Sequence, residues 1–418
     1  MVKMKTNTEQ WDVVVAGGGA SGMFAAIAAA RRGKRVLLLD KNRQLGEKLG
    51  ITGGGRCNVT NANYDVRSLL ANYGEAAEFL FSPFSQFGVT ETFEYFEQRG
   101  LPLVVQARKR AFPHTERAAD VVAVLRKDLE KHKVHTKLGC TVRKILTEGN
   151  AVTGIETNQG IFRGESYILA TGGASHAETG STGDGFKFLK SIGHTVKDPT
   201  PTIVPLAVED EWIKSMAGTS MSPVKIAFYM DGKRKFAKTG KILCTHFGLS
   251  GPLILNSASR VGELLLGGEV TATIDADPEH DSGTTERRIV KLFDANKNKT
   301  LRTVFKDICP PGAAKGIITL LPDIDFETKV HSVSKEDRKK IVRLLKALPV
   351  TITSLMGFDR AVVADGGVVL SEVDTRTMRS KMLSNLFVTG DLLHINRPSG
   401  GFSLQLCWTT GFVAGSSV

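Results

Sequence analysis

The chain has 418 residues, of which 41% are hydrophobic and 23% charged. That balance suits a globular protein with a large core and excludes a disordered or fibrous chain. The formal net charge is +12, and the longest fully apolar stretch, Met23 to Ala30, is far short of the ~20 residues that cross a bilayer. Met1 to Gln10 is polar and basic, without a secretion-type apolar region, so no membrane partner and a cytoplasmic location are expected.

Trp11 to Ala16 is a short β-branched run that leads into Gly17-Gly18-Gly19-Ala20-Ser21-Gly22. Met23 to Arg32 is a strong helix former that stops at Gly33, and Lys34 to Asp40 reads as a second strand. Each glycine of the G-x-G-x-x-G pattern has a task. Gly17 turns the chain after the strand, Gly19 removes a side chain where a pyrophosphate approaches, and Gly22 lets the helix pack close to the sheet. The amides around Ala20 and Ser21 and the partial positive charge of the helix start suit phosphates. Asp40, with Lys41 after it, stands where an acid accepts hydrogen bonds from ribose hydroxyls.

Further along, Glu165 to Ala170 reads as a strand running into Thr171-Gly172-Gly173, and Asn385 to Asp391 as another that ends in Gly390-Asp391. Val142 is counted with these as a cofactor contact. Elements so dispersed yet converging on one ligand fit an extended FAD better than NAD. Gly180 to Gly185 is glycine-rich but has no strand before it, so no dedicated NAD(P)H domain is expected. NAD(P)H remains a candidate electron donor from solution.

Pro199, Pro201 and Pro205 mark an exit from this first domain. Strand-like stretches follow at Val224 to Met230, Lys235 to Leu243 and Glu269 to Asp275, and Pro349 to Thr353 reads as a returning strand. Between Glu286 and Lys346 there are fifteen Lys and Arg against eight Asp and Glu. Such a segment is either a solvated helical face or a nucleic-acid surface. The five cysteines contain no C-x-x-C pair, and no metal site is expected.

Lys48 to Asn61 reads Lys-Leu-Gly-Ile-Thr-Gly-Gly-Gly-Arg-Cys-Asn-Val-Thr-Asn. With Arg110 to Pro113, Thr179 to Gly185, Thr245 to Pro252 and Gly400 to Gln405, it resembles a bacterial flavoprotein family. That family includes aminoacetone oxidase and BaiN-type NAD(P)/FAD-dependent oxidoreductases. The resemblance implies an α/β fold: a Rossmann-like FAD-binding domain of the glutathione-reductase type, interrupted by a β-barrel-like unit and a helical unit. The implied boundaries are 1–199 with 360–418 for FAD, 200–280 with 349–359 for the β-rich insertion, and 281–348 for the basic helical insertion.

By the same resemblance, Gly53, Gly54, Gly55, Arg56, Cys57 and Asn58 line the flavin side, with Arg56 on polar cofactor atoms and Asn58 capping the turn. Cys57 reads as a packing residue. Gly400 and Gly401 precede a C-terminal helix from Phe402, whose start would face the flavin and stabilise charge on it. The chain departs from the family pattern at Ala174 to Ala177, at Asp391 and around His394 and Arg397, so the resemblance leaves the substrate open.

His246, His176 and His394 are the candidate acids or bases, since imidazole titrates near neutrality. There is no nucleophile elbow, no His-x-x-x-His pair and no Walker lysine. The sequence therefore indicates an FAD-dependent oxidoreductase in which an unidentified small-molecule substrate gives hydride to flavin N5. The alternatives are dihydrouridine synthesis in ribosomal RNA, with the RNA held by the basic insertion, and a non-catalytic flavin-binding protein.

Overall fold

The computed structural model describes residues 6–361 and 363–418, and the first five residues of the polar start lie outside it. The chain forms two compact units, Met1–Thr200 with Val362–Val418, and Pro201–Ala361.

The first unit is built on a seven-stranded sheet. Thr6–Ala16 lies between Val36–Leu39 and Gly160–Leu169, parallel to both. His135–Lys137 extends the sheet beyond Val36–Leu39, also in parallel. On the other side Ala151–Thr157 and Val142–Glu148 add an antiparallel meander, and Leu386–Val388 pairs in parallel with the end of Gly160–Leu169. All four residues of Val36–Leu39 are buried, as a parallel strand covered on both faces requires. The alanine-rich helix Ala20–Arg31 buries nine of its residues. Small side chains on several faces let it lie against both the sheet and the C-terminal helix Phe402–Ser416.

The second unit contains a closed antiparallel barrel. Its strands are Leu206–Val208, Gly248–Ser250, Lys233–Thr245, Ser220–Met230, Val270–Asp275 and Leu348–Leu355. The helices Ser282–Ala295, Leu301–Ile308 and Lys335–Lys346 belong to the same unit. Barrel residues Phe228 and Ile274 and helix residues Phe293, Phe305 and Ile341 share one hydrophobic cluster. The stretch 281–348 is thus joined to the barrel by a common core. Its helix starts are capped locally: Asp281 accepts from the Thr284 amide at 2.7 Å and Ser334 from the Asp337 amide at 3.0 Å. Among the described residues, no helix is long and apolar enough to cross a membrane.

Candidate cofactor and active site

The fingerprint turn is forced into shape by close backbone approaches. Gly17 has φ +109°, and a Cβ there would lie 2.3 Å from the Ala170 carbonyl oxygen. A Cβ on Gly22 would lie 1.8 Å from the Gly17 oxygen. Neither position admits a side chain. Gly19 differs: a Cβ there would meet no heavy atom within 4 Å. It is the N-cap of Ala20–Arg31, and no side chain caps that helix. The amides of Ala20, Ser21 and Gly22 have no carbonyl one turn back within the helix. Open space in front of uncapped amides is a cradle of the size and polarity a phosphate fills.

Asp40 is held at the end of the second strand. Its Oδ2 accepts from the Gly18 amide at 2.6 Å and its Oδ1 from the Asn42 amide at 2.7 Å. Burial raises its pKa, and the two amides pull the other way without cancelling the rise. The Cys140 amide donates to the Asp40 carbonyl at 2.8 Å, which sets the start of Val142–Glu148, with half-buried Val142, beside this strand end. Lys41 points elsewhere: its Nζ donates to Thr182 Oγ1 at 2.7 Å and pairs with Asp184 at 3.1 Å. The glycine-rich 180–185 stretch therefore docks on Lys41.

The two later strand ends converge on the same turn. The Ala170 amide donates to the Ala16 carbonyl at 2.8 Å. Thr171 Oγ1 is a buried atom without a partner, and Gly172 takes φ +75°. Gly390, at φ +62°, donates its amide to Thr410 Oγ1 at 3.0 Å, and a Cβ there would lie 2.8 Å from Ser21 Oγ. Gly17, Ser21, Ala170 and Gly390 thus form one cluster.

Gly53, Gly54 and Gly55 take φ of +59°, +67° and +85° and are exposed. Gly54 and Gly55, like Gly19, face open space. Arg56 is already engaged. Its guanidinium donates to Gln106 Oε1 at 2.8 Å, pairs with Glu116 and lies 4.3 Å over the Phe112 ring. Its Nε is buried without a partner. Cys57 is fully buried, and burial pushes its thiol up to about 12. The Asn58 side chain accepts from the Gly401 amide at 2.9 Å and donates to the Thr60 carbonyl at 3.0 Å. It ties the glycine turn to the start of the C-terminal helix.

That start is fixed by interactions the sequence did not announce. Gly401 takes φ +99°, and a Cβ there would lie 2.3 Å from the Thr60 carbonyl carbon. Buried Gln405 accepts from Thr60 Oγ1 at 2.6 Å and donates to the Gly88 carbonyl at 3.1 Å. Trp408 Nε1 donates to the Val59 carbonyl at 2.9 Å. Cβ atoms on Gly411 and Gly415 would lie 2.3 and 2.1 Å from the Ser21 and Ala25 oxygens. These two glycines let the C-terminal helix touch the fingerprint helix backbone to backbone.

A charged cluster also went unread in the sequence. Asp391 pairs with Arg397 and has Lys48 Nζ at 3.7 Å. Arg397 is 1% exposed in its side chain, and Lys48 donates to Ser175 Oγ at 2.7 Å. Burial opposes ionisation of Asp391, but Arg397 and Lys48 outweigh it and hold the carboxyl below its usual range. The only signals for this cluster were the unusual Arg397 and the lysine opening the Lys48 motif.

Of the three histidines, His176 and His394 belong to the first unit and each faces a carboxylate. His176, at φ +57°, faces Glu178 Oε1 at 2.8 Å. His394 is 3.4 Å from Asp365 Oδ1, and its Nδ1 has no hydrogen-bond partner. His246 belongs to the second unit, exposed on the turn before Gly248 with its ring against Phe247.

The family model for the HI0933-like protein Rossmann domain matches residues 11–417. The chain belongs to that family. A 3-dehydro-bile acid delta(4,6)-reductase of Clostridium scindens is 30% identical over 96% of this chain and 97% of its own. A ribosomal RNA dihydrouridine synthase of Escherichia coli is 25% identical over 97% of both chains. Among solved structures, a 3-ketosteroid-delta4-(5alpha)-dehydrogenase of Rhodococcus jostii aligns with a TM-score of 0.55 at 17% identity, covering 100% of this chain and 98% of that one. That likeness concerns the fold. Family membership and fold together make the chain a flavin-dependent oxidoreductase.

Proposed function

We propose that the first unit binds FAD non-covalently and that the chain uses NAD(P)H to reduce a small carbonyl-containing organic molecule. The observation that carries the cofactor is the open cradle at Gly19, before uncapped amides and between two glycines that cannot bear side chains. FAD held there would supply a ring that accepts and returns hydride. The amides of Ala20 and Ser21 hold the pyrophosphate, and Asp40 orients the adenosine ribose. Asp391, kept ionised by Arg397 and Lys48, accepts hydrogen bonds from the polyol chain. The start of Phe402–Ser416 faces charge that develops on the ring.

In net terms NAD(P)H loses a hydride, and the substrate gains that hydride and a proton. His176 and His394, each beside a carboxylate, are the proposed proton carriers. The relative named as a bile-acid reductase makes steroid-like carbonyl compounds the first class to test. Purified protein should be yellow, bleach anaerobically on mixing with NADPH or NADH, and recover its colour when the right acceptor is added. A colourless protein that takes up no FAD would end this reading. Colour that no nicotinamide bleaches would end the donor assignment alone.

A second reading follows from the excess of Lys and Arg and the relatives named as ribosomal RNA dihydrouridine synthases. Here the reduced substrate is a uridine base in RNA. Conversion of uridine to dihydrouridine in ribosomal RNA by the NADPH-reduced protein, read by mass spectrometry, tests it. No conversion under single-turnover conditions would refute it.

A further inference from the structure

The excess positive charge of the second unit has two locations, and they differ in how densely the cations follow one another along the chain. The helical stretch 286–346 is basic in sum, but its cations are interleaved with acids. Four of its fifteen cations are ion-paired, Arg288 with Asp277, Arg302 with Glu327, Lys340 with Asp337 and Lys346 with Asp275, and among the described residues the other eleven are not. The barrel hairpin is different. From Lys233 to Lys241, five of nine residues are Lys or Arg and none is acidic. None of these five, nor Lys225 on the neighbouring strand, is in an ion pair among the described residues.

Register places part of this charge on one side. Ser220–Met230 and Lys233–Thr245 pair with Phe228 opposite Phe236 and Lys225 opposite Thr239. Val224, Ile226, Phe228 and Phe236 are core residues. Alternation along each strand then turns Lys225, Tyr229, Lys235, Thr239 and Lys241 outward. All three of those lysines are exposed and Tyr229 is half-buried. Lys233 and Arg234 add charge at the hairpin tip. Three acids are nearby, Asp231, Glu269 and Asp275, and of these Asp275 is ion-paired among the described residues. Asp231 accepts the Glu269 amide at 3.2 Å, and Asp275, opposite Lys225, holds Lys346 at 2.7 Å.

We propose that this outward hairpin face, Lys225, Lys235 and Lys241 with Tyr229 at its tip end, is a docking surface for a single-stranded nucleic acid. The six-residue span from Lys235 to Lys241 covers ~20 Å at ~3.3 Å per residue, which is about six stacked nucleotides at ~3.4 Å each. Unpaired lysines neutralise phosphates without first breaking protein ion pairs. The aromatic ring at the tip end of the face offers one base a stacking partner, as sequence-tolerant single-strand binders use. The surface borrows its purpose from the RNA reading above, while binding itself is independent of turnover.

The test is fluorescence anisotropy of the flavin-loaded protein with a labelled 20-nucleotide oligouridine, the matching DNA and a duplex, over a range of salt. Two variants of equal charge change are compared: Lys225→Gln/Lys235→Gln/Lys241→Gln on the hairpin and Lys291→Gln/Lys297→Gln/Lys299→Gln on the helical stretch. The hairpin variant should bind the single strand at least tenfold more weakly. Its log–log salt slope should be shallower by about 2, at ~0.7 for each phosphate that is no longer neutralised. The helical variant should stay within twofold, and both should keep the wild-type Tm. If both variants lose affinity equally, or the duplex binds as tightly as the single strand, the assignment of this face is wrong while RNA binding survives. If the wild type binds no oligonucleotide at low salt, this surface and the RNA reading both fall. Loss of dihydrouridine formation with binding intact would refute only the latter.

Discussion

Gly19 and Gly22 stand three residues apart in one motif, yet the structure gives them opposite sensitivities. In Gly22→Ala the new Cβ starts 1.8 Å from the Gly17 oxygen, where real Cβ atoms keep at least 3.0 Å. Backbone must therefore move by more than an ångström, and overpacking of that kind costs about 1–3 kcal/mol or more. This exceeds the ~1 kcal/mol that alanine contributes over glycine inside a helix. In Gly19→Ala the new methyl meets nothing within 4 Å, and φ is −81°, which any residue adopts. Alanine is a poorer N-cap than glycine by about 0.5–1 kcal/mol, and the loss of unfolded-state freedom offsets it by about 0.4–1 kcal/mol. The apoprotein should then be unchanged in stability. FAD binding should not be. The methyl sits in front of the first-turn amides, and losing one charge-assisted hydrogen bond to phosphate costs about 1.5–3 kcal/mol, roughly 10- to 150-fold in Kd. Thermal unfolding of apoprotein and quenching of flavin fluorescence on titration separate the two effects. A Gly19→Ala protein that is stable and binds FAD like the wild type would refute the placement of the pyrophosphate.

Replacing buried Arg397 by Met strips half-buried Asp391 of its main counter-charge and should cost about 3–5 kcal/mol at pH 7. Because the wild-type carboxyl lies below its ordinary value, the pairing stabilises fully above the unfolded pKa and is lost as pH falls through the lower folded one. The Tm gap between variant and wild type should be full at pH 7 and narrow as pH falls towards 3, and a gap that does not change with pH would refute the pairing. Gly415→Ala should destabilise by about 1–3 kcal/mol despite alanine's better helix propensity, since its Cβ would lie 2.1 Å from the Ala25 oxygen; an unchanged or raised Tm would show that the two helices do not touch backbone to backbone. Cys57, buried and with its thiol pushed up to about 12, should resist iodoacetamide at pH 8 in the native protein and react after unfolding, as mapped by mass spectrometry.

What could be read in advance was what short stretches of chain determine. The strand, turn and helix from Trp11 to Gly33 are specified by residues in covalent succession. The glycine spacing encodes the steric reason for each position, and the structure places Gly17 and Gly22 against the backbone that excludes side chains there. The barrel strands were legible in outline from β-branched runs, and the C-terminal helix from the glycines before Phe402. Asp40 was legible as a strand-end acid, though not its two amide donors.

Only the tertiary structure decided which distant groups share an environment. Asp391 could be named from its strand, but its charge state depends on Lys48, from the other end of the chain, and on a buried Arg397. Arg56, expected on polar cofactor atoms, bonds Gln106 and Glu116 and lies over the Phe112 ring. Gln405 reaches Thr60 across 345 positions, and Gly411 and Gly415 are glycines because another helix lies against them. Local patterns constrain backbone shape through neighbours within a few residues. Burial, pKa and ion pairing arise only when packing has settled which segments meet, and that information is spread over the whole chain.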